Sequence, residues 1–219
     1  MILVPVKNLT NAKARLSSVL DSEQRFALAQ SMCEDVLETL AAWREKPEVA
    51  VVTGDPLVAD AASYFGFQVI ADDSNQGETS AIEMATAVCR KRGEGSTLVI
   101  PADIPLIDVD DLKKIKNAAP EAGTVLVPDA ARRGTNAALR TPADLFPLRF
   151  GNDSFLPHLA AAQATGLPCV VLKLPRVALD VDRPEDLYQL AAASGDRRSQ
   201  KLVRSWNLAR EQACTREQT

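Results

Sequence analysis

The segment LVIPADIPL, residues 98–106, decides the fold that we predict for this chain. Its apolar half is typical of a strand that is covered on both faces, as in the parallel sheets of α/β proteins. Pro101 and Pro105 end this strand and fix the loop that carries Asp103. Because ligands of such folds bind beyond the carboxyl ends of the strands, we expect Asp103 to lie at a ligand-binding edge.

Apolar runs and helical patterns alternate along much of the chain. A long helix is predicted after Asp21, which forms a capping box with Gln24, and another is predicted to start at a box between Ser80 and Glu83. This order predicts a single α/β domain with a mostly parallel, twisted sheet and helices on both faces. The predicted strands are 2–6, 49–53, 67–71, 97–101, 124–128 and 169–174, and further helices are predicted at 56–65, 80–92 and 110–118.

The alternation weakens after residue 128. Residues 129–153 contain turn-forming residues and one short strand candidate at 137–140, before helical periodicity resumes at 154–165. We interpret 129–153 as an insertion into the sheet fold.

The carboxyl-terminal residues 195–219 are charged and show helical periodicity. This pattern predicts a helix that docks on the body of the protein or on a second subunit, as in a homodimer. The residues at helical intervals are Leu202, Val203, Trp206 and Ala209 or Arg210.

Composition excludes several classes of protein. The chain has 219 residues, of which 46% are hydrophobic, so it is long enough for one substantial core with an appendage. A net charge of -4 gives no basic footprint for nucleic acid. The four cysteines form no C-x-x-C pair and His158 is the only histidine, which disfavours zinc and iron–sulfur sites. Without an apolar segment of membrane-spanning length or a secretory leader, we expect a cytoplasmic protein with no membrane partner.

A second acidic segment, LDVDRPEDL, occupies residues 179–187. If its first part is a short strand, Asp180 and Asp182 point to the same side, and Pro184 starts a helix. This pattern alone fits either a capped strand-to-helix junction or a site for a hard divalent cation. Asp103 alone could likewise be a turn or cap residue, but two carboxylate sites at strand ends favour a metal. Since all the candidate ligands are oxygens, Mg²⁺ or Mn²⁺ is the expected ion.

Three basic residues, Lys7, Lys13 and Arg15, follow the first predicted strand. Magnesium shares its coordination with substrate phosphates, so a basic loop near the carboxylates could bind a triphosphate and a leaving pyrophosphate. Without those carboxylates the same loop would be a solvated surface segment. The chain has no G-x-x-x-x-G-K-[ST] motif, so a nucleotide would be held by other means.

Taken together, the motifs resemble the 2-phospho-L-lactate and phosphoenolpyruvate guanylyltransferases of deazaflavin coenzyme (F-420) biosynthesis, within the MobA-like nucleotidyltransferases. The resemblance runs from residue 4 to about residue 190. It rests on VPVK at 4–7 with AKARL at 12–16, PADIPL at 101–106, GTNA at 134–137, FG at 150–151 with SF at 154–155 and His158, and LDVD at 179–182 with PEDL at 184–187.

The resemblance implies a MobA-like, Rossmann-like three-layer fold and transfer of GMP from GTP onto a phosphorylated three-carbon acid, with release of pyrophosphate. The acid would be phosphoenolpyruvate, 2-phospho-L-lactate or 3-phospho-D-glycerate, and the product would pass to a downstream transferase. Residues 1–194 would form the nucleotidyltransferase domain, with 129–153 on the acceptor side and 195–219 as a helical tail.

The same resemblance implies roles for individual residues. Asp103, Asp180 and Asp182 would bind metal, and Lys13, Arg15 and Asp103 would be catalytic. The nucleotide would contact Lys7, Lys13 and Arg15, with Thr79 or Ser80 in place of an asparagine that is frequent in the family. The phospho-acid would lie among Thr135, Gly151 and Ser154.

The residues near the expected acceptor site can also be interpreted without the family resemblance. Gly151 permits close backbone approach, and Ser154 lies at a predicted helix amino terminus, where it could bind an anion or cap the helix. Asp153 would repel a phospho-acid unless it turns outward or acts as a cap, and His158 is interpreted as a packing or hydrogen-bonding residue. The alternatives are a related nucleotidyltransferase with another acceptor, such as molybdopterin or a sugar phosphate, and a non-catalytic nucleotide-binding regulator.

Overall fold

A computed structural model of the chain describes residues 1–72, 76–151 and 153–206. Within these residues seven strands form one sheet in the order β3-β2-β1-β4-β6-β5-β7. Strand β6 is antiparallel to β4 and β5, and the other neighbouring pairs are parallel. In chain order, β1 to β7 are Ile2–Pro5, Val49–Thr53, Gln68–Ala71, Thr97–Val99, Gly123–Pro128, Thr135–Thr141 and Cys169–Val171.

Helices cover both faces of the sheet. Successive residues of β1 belong to different apolar clusters. Ile2 and Val4 belong to one that includes residues of the helices at 22–42 and 109–117, and Leu3 belongs to one that includes residues of the helices at 78–91 and 155–164. The three-layer α/β fold predicted from the sequence is therefore confirmed. None of the described helices has the length and apolar character needed to cross a membrane. From α1 to α7 they are Ser22–Ala42, Pro56–Tyr64, Glu78–Lys91, Val109–Asn117, Phe155–Ala164, Pro184–Ala192 and Arg198–Ser205.

The two predicted capping boxes have different outcomes. At α1, the Asp21 carboxylate accepts from the N–H of Gln24 and the Gln24 side chain accepts from the N–H of Asp21, as expected. The box between Ser80 and Glu83 is wrong, because α3 begins two residues earlier, after Gly77 with φ of 108°. The carboxylate of Glu83 instead accepts from the backbone N–H of Leu148, on another segment.

The strand candidate at 137–140 is part of the longer strand β6. It lies between β4 and β5, so this segment is central to the sheet. Its antiparallel direction brings residue 135, at its start, to the edge where the parallel strands end. The strand predicted within 179–182 is wrong. Its backbone N–H groups bond elsewhere, that of Val181 to the carbonyl of Asp103 and that of Asp182 to the carboxylate of Asp186.

Helix α7 packs against α1. The buried carboxylate of Asp35 accepts hydrogen bonds from the N–H groups of Arg198 and Ser199, each at 3.0 Å, and from the Ser199 hydroxyl at 2.6 Å. Trp206 packs against an apolar cluster that also contains Leu28 of α1. Ala209 and Arg210 lie outside the described residues, and a contact with a second subunit stays a prediction.

Candidate active site

A cavity of about 760 Å³ opens where β1 and β4 end. The first residue of α3, the start of β6, the loop that precedes α5 and the segment 178–182 complete its wall. This is the edge at which the sequence predicted ligand binding. Asp153 also lines it, together with nine predicted site residues: Lys7, Lys13, Arg15, Asp103, Thr135, Gly151, Ser154, Asp180 and Asp182.

Lys13 connects the two predicted carboxylate sites. Its ammonium Nζ donates to Oδ2 of Asp103 at 2.7 Å and to Oδ1 of Asp182 at 2.8 Å. The backbone of Lys13 is left-handed, with φ of 55°, immediately before the short helical turn Ala14–Leu16. Arg15 extends from that turn, and its guanidinium lies 3.1 Å from Oδ2 of Asp182. Ion pairs thereby connect three segments that are distant in sequence.

The electrostatic environment favours the charged forms of both Lys13 and Asp182. Burial by itself would lower the pKa of Lys13, but the charges of Asp103 and Asp182 and their hydrogen bonds outweigh burial and raise it. Burial likewise opposes ionisation of Asp182, yet the charge and hydrogen bond of Lys13, with Arg15, lower its pKa overall. The lysine therefore occupies the position of a cation between two carboxylates.

Asp180 has a different environment. Its Oδ1 accepts from the side-chain amide of Asn136 at 3.1 Å, and that amide also donates to the carbonyl of Val177 at 2.9 Å. Burial, followed by the negative charge of Asp103, raises the pKa of Asp180 to about 6. Asp180 is thus a weaker acid than Asp182, the other member of the predicted pair.

The donor set is suited to a hard cation. In the part of the chain that the structure describes, no group of three or more His, Cys, Asp or Glu side chains is assembled as a preformed metal site. However, Mg²⁺ commonly binds through one or two carboxylates together with substrate phosphates and water. Asp103 and Asp182, which already converge on one positive charge, meet that requirement.

The predicted contacts of Thr79 and Ser80 with a nucleotide lack support from the geometry. The hydroxyl of Thr79 exchanges hydrogen bonds with the backbone of Phe150, at 2.9 and 3.2 Å, and neither residue is among those that line the cavity. Glu78, one residue earlier, does line it. Burial, together with the charge of Asp103, raises the pKa of Glu78 to about 7 despite the nearby Lys7 and Lys13.

Around Thr135 and Ser154, hydrogen bonds connect neutral groups at the cavity wall. The hydroxyl of Ser154 accepts from the backbone N–H of Thr135 at 3.1 Å and makes no capping bond to α5, contrary to the cap reading. The Thr135 hydroxyl lies 2.9 Å from Nδ1 of His158. Gly151 has φ of 131°, a conformation that favours glycine. His158 is buried and hydrogen-bonded, as the sequence interpretation expected.

Asp153 lines the cavity, but its carboxylate is mostly exposed to solvent and is paired with a positive charge. Its side chain is 63% exposed and its carboxylate lies 2.5 Å from Nε of Arg133. Arg133 also lines the cavity, on the turn that precedes β6. The ion pair thus places an arginine at the cavity wall, near Thr135 and Ser154.

No role was predicted from the sequence for several residues of this site, among them Glu78, Arg133 and Asn136. Asn136 belongs to the GTNA motif at 134–137, so the motif was found but its contact with Asp180 was not. Arg133 precedes the same motif, and its pairing with Asp153 depends on two loops that meet only in the fold. For Glu78, helical spacing suggested a helix start two residues further on.

The family model and three curated relatives that match this chain are all named as guanylyl transferases. The family model described as "Guanylyl transferase CofC like" matches residues 1–217. The phosphoenolpyruvate guanylyltransferase of Rubrobacter xylanophilus is 38% identical over 88% of this chain and 94% of its own length. The 3-phospho-D-glycerate guanylyltransferase of Colwellia psychrerythraea is 35% identical, over 88% and 91%. The 2-phospho-L-lactate guanylyltransferase of Methanothermobacter thermautotrophicus is 32% identical, over 86% and 82%.

Solved structures with the same fold include distant nucleotidyltransferases. A Desulfovibrio desulfuricans protein described as a nucleotide-diphospho-sugar transferase superposes with a TM-score of 0.78 at 20% identity, over 96% of each chain. A nucleotidyl transferase of Methanothermobacter thermautotrophicus gives 0.59 at 19% identity, over 87% of this chain and 95% of that one. At these identities the likeness establishes the fold alone.

Proposed function

The chain belongs to the CofC-like guanylyl transferase family, and we propose that it transfers GMP from GTP to the phosphate of a three-carbon phospho-acid in deazaflavin coenzyme biosynthesis. As a member of that family it is a nucleotidyltransferase. The names of its relatives support phosphoenolpyruvate, 3-phospho-D-glycerate and 2-phospho-L-lactate as the acids to consider. The observation that carries the proposal is the juxtaposition, in one cavity, of the Lys13 charge centre and the Thr135 and Ser154 hydroxyls.

In the proposed reaction, a phosphate oxygen of the acid forms a bond to the α-phosphorus of GTP. The bond from that phosphorus to the oxygen bridging it to the β-phosphate breaks, and pyrophosphate leaves with the electron pair. The product joins guanosine and the acid through a diphosphate. Such a product is suited to be the donor for a downstream transferase.

The charged half of the cavity is proposed to hold the GTP phosphates. Lys13 and Arg15 would stabilise the charge that develops on the transferring group and on pyrophosphate, and Lys7 would contribute a further positive charge. Their placement beside the carboxyl ends of β1 and β4 supports these roles. In this scheme the ammonium of Lys13 exchanges its carboxylate partners for phosphate oxygens when GTP binds.

Members of the nucleotidyltransferase families generally use a divalent cation, and we propose Mg²⁺ or Mn²⁺ for this chain. Asp103 and Asp182 would hold it, with Asp180, steadied by Asn136, beside them. When bound, such an ion neutralises phosphate charge and aligns the reacting groups. The oxygen chemistry of these ligands supports a hard cation but does not rank the two ions.

The acceptor needs no general base. A phosphate monoester has a second pKa near 6, so at neutral pH it is already mostly a dianionic nucleophile. Catalysis then consists of holding one of its oxygens in line with the α-phosphorus. His158 fits this scheme as a residue outside proton transfer, because it is buried behind Thr135.

The experiment that tests the proposal is a panel of acceptors. The purified chain, with GTP and Mg²⁺, is incubated separately with phosphoenolpyruvate, 2-phospho-L-lactate and 3-phospho-D-glycerate, and pyrophosphate release is followed. We expect release that depends on at least one acid. Intact GTP binding without release for any acid would contradict transfer and favour a regulatory nucleotide-binding role.

A further inference from the structure

The only histidine of the chain connects the acceptor side of the cavity to the loop that precedes α5. The backbone N–H of Arg149 donates to Nε2 of His158 at 2.7 Å. On the other side of the ring, Nδ1 lies 2.9 Å from the hydroxyl oxygen of Thr135. The side chain is 1% exposed, so these two contacts account for both ring nitrogens away from solvent.

These contacts fix the tautomer of the ring. A backbone N–H can only donate, so Nε2 must accept and cannot carry a hydrogen. In a neutral imidazole the hydrogen is then on Nδ1, which donates to Thr135. The ring is neutral because burial and the positive charge of Arg140 lower the pKa of His158 from 6.5 to about 4.

The tautomer determines what Thr135 can offer to a ligand. Since its hydroxyl oxygen accepts from Nδ1, its own hydrogen remains to be donated elsewhere. Within the described residues, no side chain or backbone group accepts that hydrogen, and Thr135 lines the cavity. Ser154 is in the same state, because its hydroxyl accepts from the N–H of Thr135 and its hydrogen has no acceptor among the same residues. Two residues that line the cavity therefore each have a hydroxyl hydrogen to donate.

We propose that His158 is a positioning residue that holds the Thr135 hydroxyl as a hydrogen-bond donor to the bound phospho-acid. The carboxylate and the dianionic phosphate of such an acid present only acceptors, so the site needs donors. With the hydrogen on Nε2 instead, Thr135 would donate to Nδ1 and present only lone pairs to an anion. This inference rests on the proposed function, since that function supplies the phospho-acid.

The tautomer can be observed directly, because His158 is the only imidazole of the chain when the protein is purified without a histidine tag. Long-range ¹H–¹⁵N correlation spectra of the uniformly labelled protein at neutral pH distinguish a protonated nitrogen from an unprotonated one. We expect a single neutral ring with its hydrogen on Nδ1. A hydrogen on Nε2, or a ring that averages between the two forms, would overturn the proposal.

Two substitutions separate positioning from simple packing. His158→Asn keeps an amide N–H near the position of Nδ1 and loses the acceptor for Arg149, whereas His158→Gln keeps an acceptor near Nε2 and loses the short donor to Thr135. We expect His158→Gln to raise the KM for the phospho-acid about tenfold, the effect of one lost hydrogen bond, and His158→Asn to raise it less than about threefold. The KM for GTP should stay within about twofold of wild type in both.

The opposite ranking of the two variants, or equal effects on both substrates, would show that His158 only supports the Arg149 loop. If neither variant folds, the spectrum of the wild-type protein decides. Failure of the proposed function has a different signature, since the wild-type protein would then transfer GMP to none of the three acids. An active wild-type enzyme with the Nε2 tautomer would contradict the role of His158 alone.

Discussion

The two halves of the cavity hold their functional groups in opposite ways. In the half around Lys13, this residue bridges Asp103 and Asp182 through ionic contacts between three distant segments. In the half around Thr135, β6 and α5 place the neutral groups Thr135 and His158 in a buried hydrogen-bond network. Ionic partners can be exchanged for phosphates and a cation, whereas the neutral network is fixed by the fold. We infer that the charged half around Lys13 mainly accelerates the transfer reaction. The half around Thr135 mainly determines which phospho-acid is accepted.

Asp103→Asn should have the largest effect, because it removes one of the two charges that converge on Lys13 and a proposed metal ligand. We expect kcat to fall by about a thousandfold or more while the fold is retained. Pyrophosphate release and circular dichroism check both parts. Asp144→Asn is a matched control, since Asp144 pairs with exposed Arg90 away from the cavity. Near-normal turnover of Asp103→Asn would show that Asp103 is neither a metal ligand nor a catalytic residue.

Lys13→Met should lower kcat by about a hundredfold, because it removes the positive charge that bridges both carboxylates. Steady-state kinetics with saturating GTP measure the loss. Lys201→Met is the control, since that lysine pairs with Asp196 at an exposed site. If Lys13→Met changed only the KM for GTP, the lysine would serve in ground-state binding and not in the transition state.

The neutral half predicts a dependence of stability on pH. Because burial and Arg140 lower the pKa of His158 to about 4, the unfolded chain binds a proton below its ordinary pKa of 6.5 while the folded chain does not. The contribution of His158 is thus intact above about pH 6.5 and is lost as the pH falls towards 4, which amounts to about 2 kcal/mol between about pH 8 and pH 5.

Urea unfolding of the wild-type protein and of His158→Gln at several pH values isolates this contribution. The raised pKa values of Glu78 and Asp180 act in the opposite direction, since each favours the folded state as pH falls, but they are shared by both proteins. We expect the wild-type protein to lose its advantage over the variant as the pH falls. A constant difference across this range would contradict a neutral, buried His158.

Thr135→Val should act on one substrate only. It keeps the shape of the side chain and removes the hydroxyl that we assign to the phospho-acid, so we expect the KM for that acid to rise about tenfold with little change in the KM for GTP. Thr124→Val is a matched control on β5, because the Thr124 hydroxyl is buried and has no hydrogen-bond partner among the described residues. Equal rises in both KM values would place Thr135 outside acceptor recognition.

The smallest effect is expected at the rim. Asp153→Asn removes an exposed ion pair with Arg133, but asparagine tolerates the left-handed conformation at this position, where φ is 57°. We expect the KM for the phospho-acid to change less than about twofold. A large fall in that KM would mean that Asp153 normally restrains Arg133 from binding the acid.

The apolar patterns predicted most of the fold, because a strand that is buried on both faces has a continuous run of apolar residues in the local sequence. The run at 49–53 is β2 as predicted, and the Asp21 box starts α1. Features that depend on distant partners were missed. Residues 179–182 have strand-like alternation, but the backbone of Val181 bonds to the carbonyl of Asp103 in place of a sheet neighbour.

The candidate site shows the same division. The sequence grouped Asp103, Asp182 and Lys13 because residues at strand ends meet at one edge, and the geometry brings them into contact. It could not anticipate that Lys13 would occupy the space between the carboxylates. Nor could spacing predict that Thr79 bonds to Phe150, because the loop before α5 approaches α3 only in the folded protein.

The central claim, guanylyl transfer to a phospho-acid, is open to direct observation by ³¹P NMR of a reaction with GTP, Mg²⁺ and the acid preferred in the acceptor panel. We predict that pyrophosphate accumulates together with two mutually coupled diphosphate signals of equal intensity, as the GTP and phospho-acid signals decline. Pyrophosphate with GMP and unchanged acid, which would indicate hydrolysis, or a spectrum that does not change, would contradict the claim.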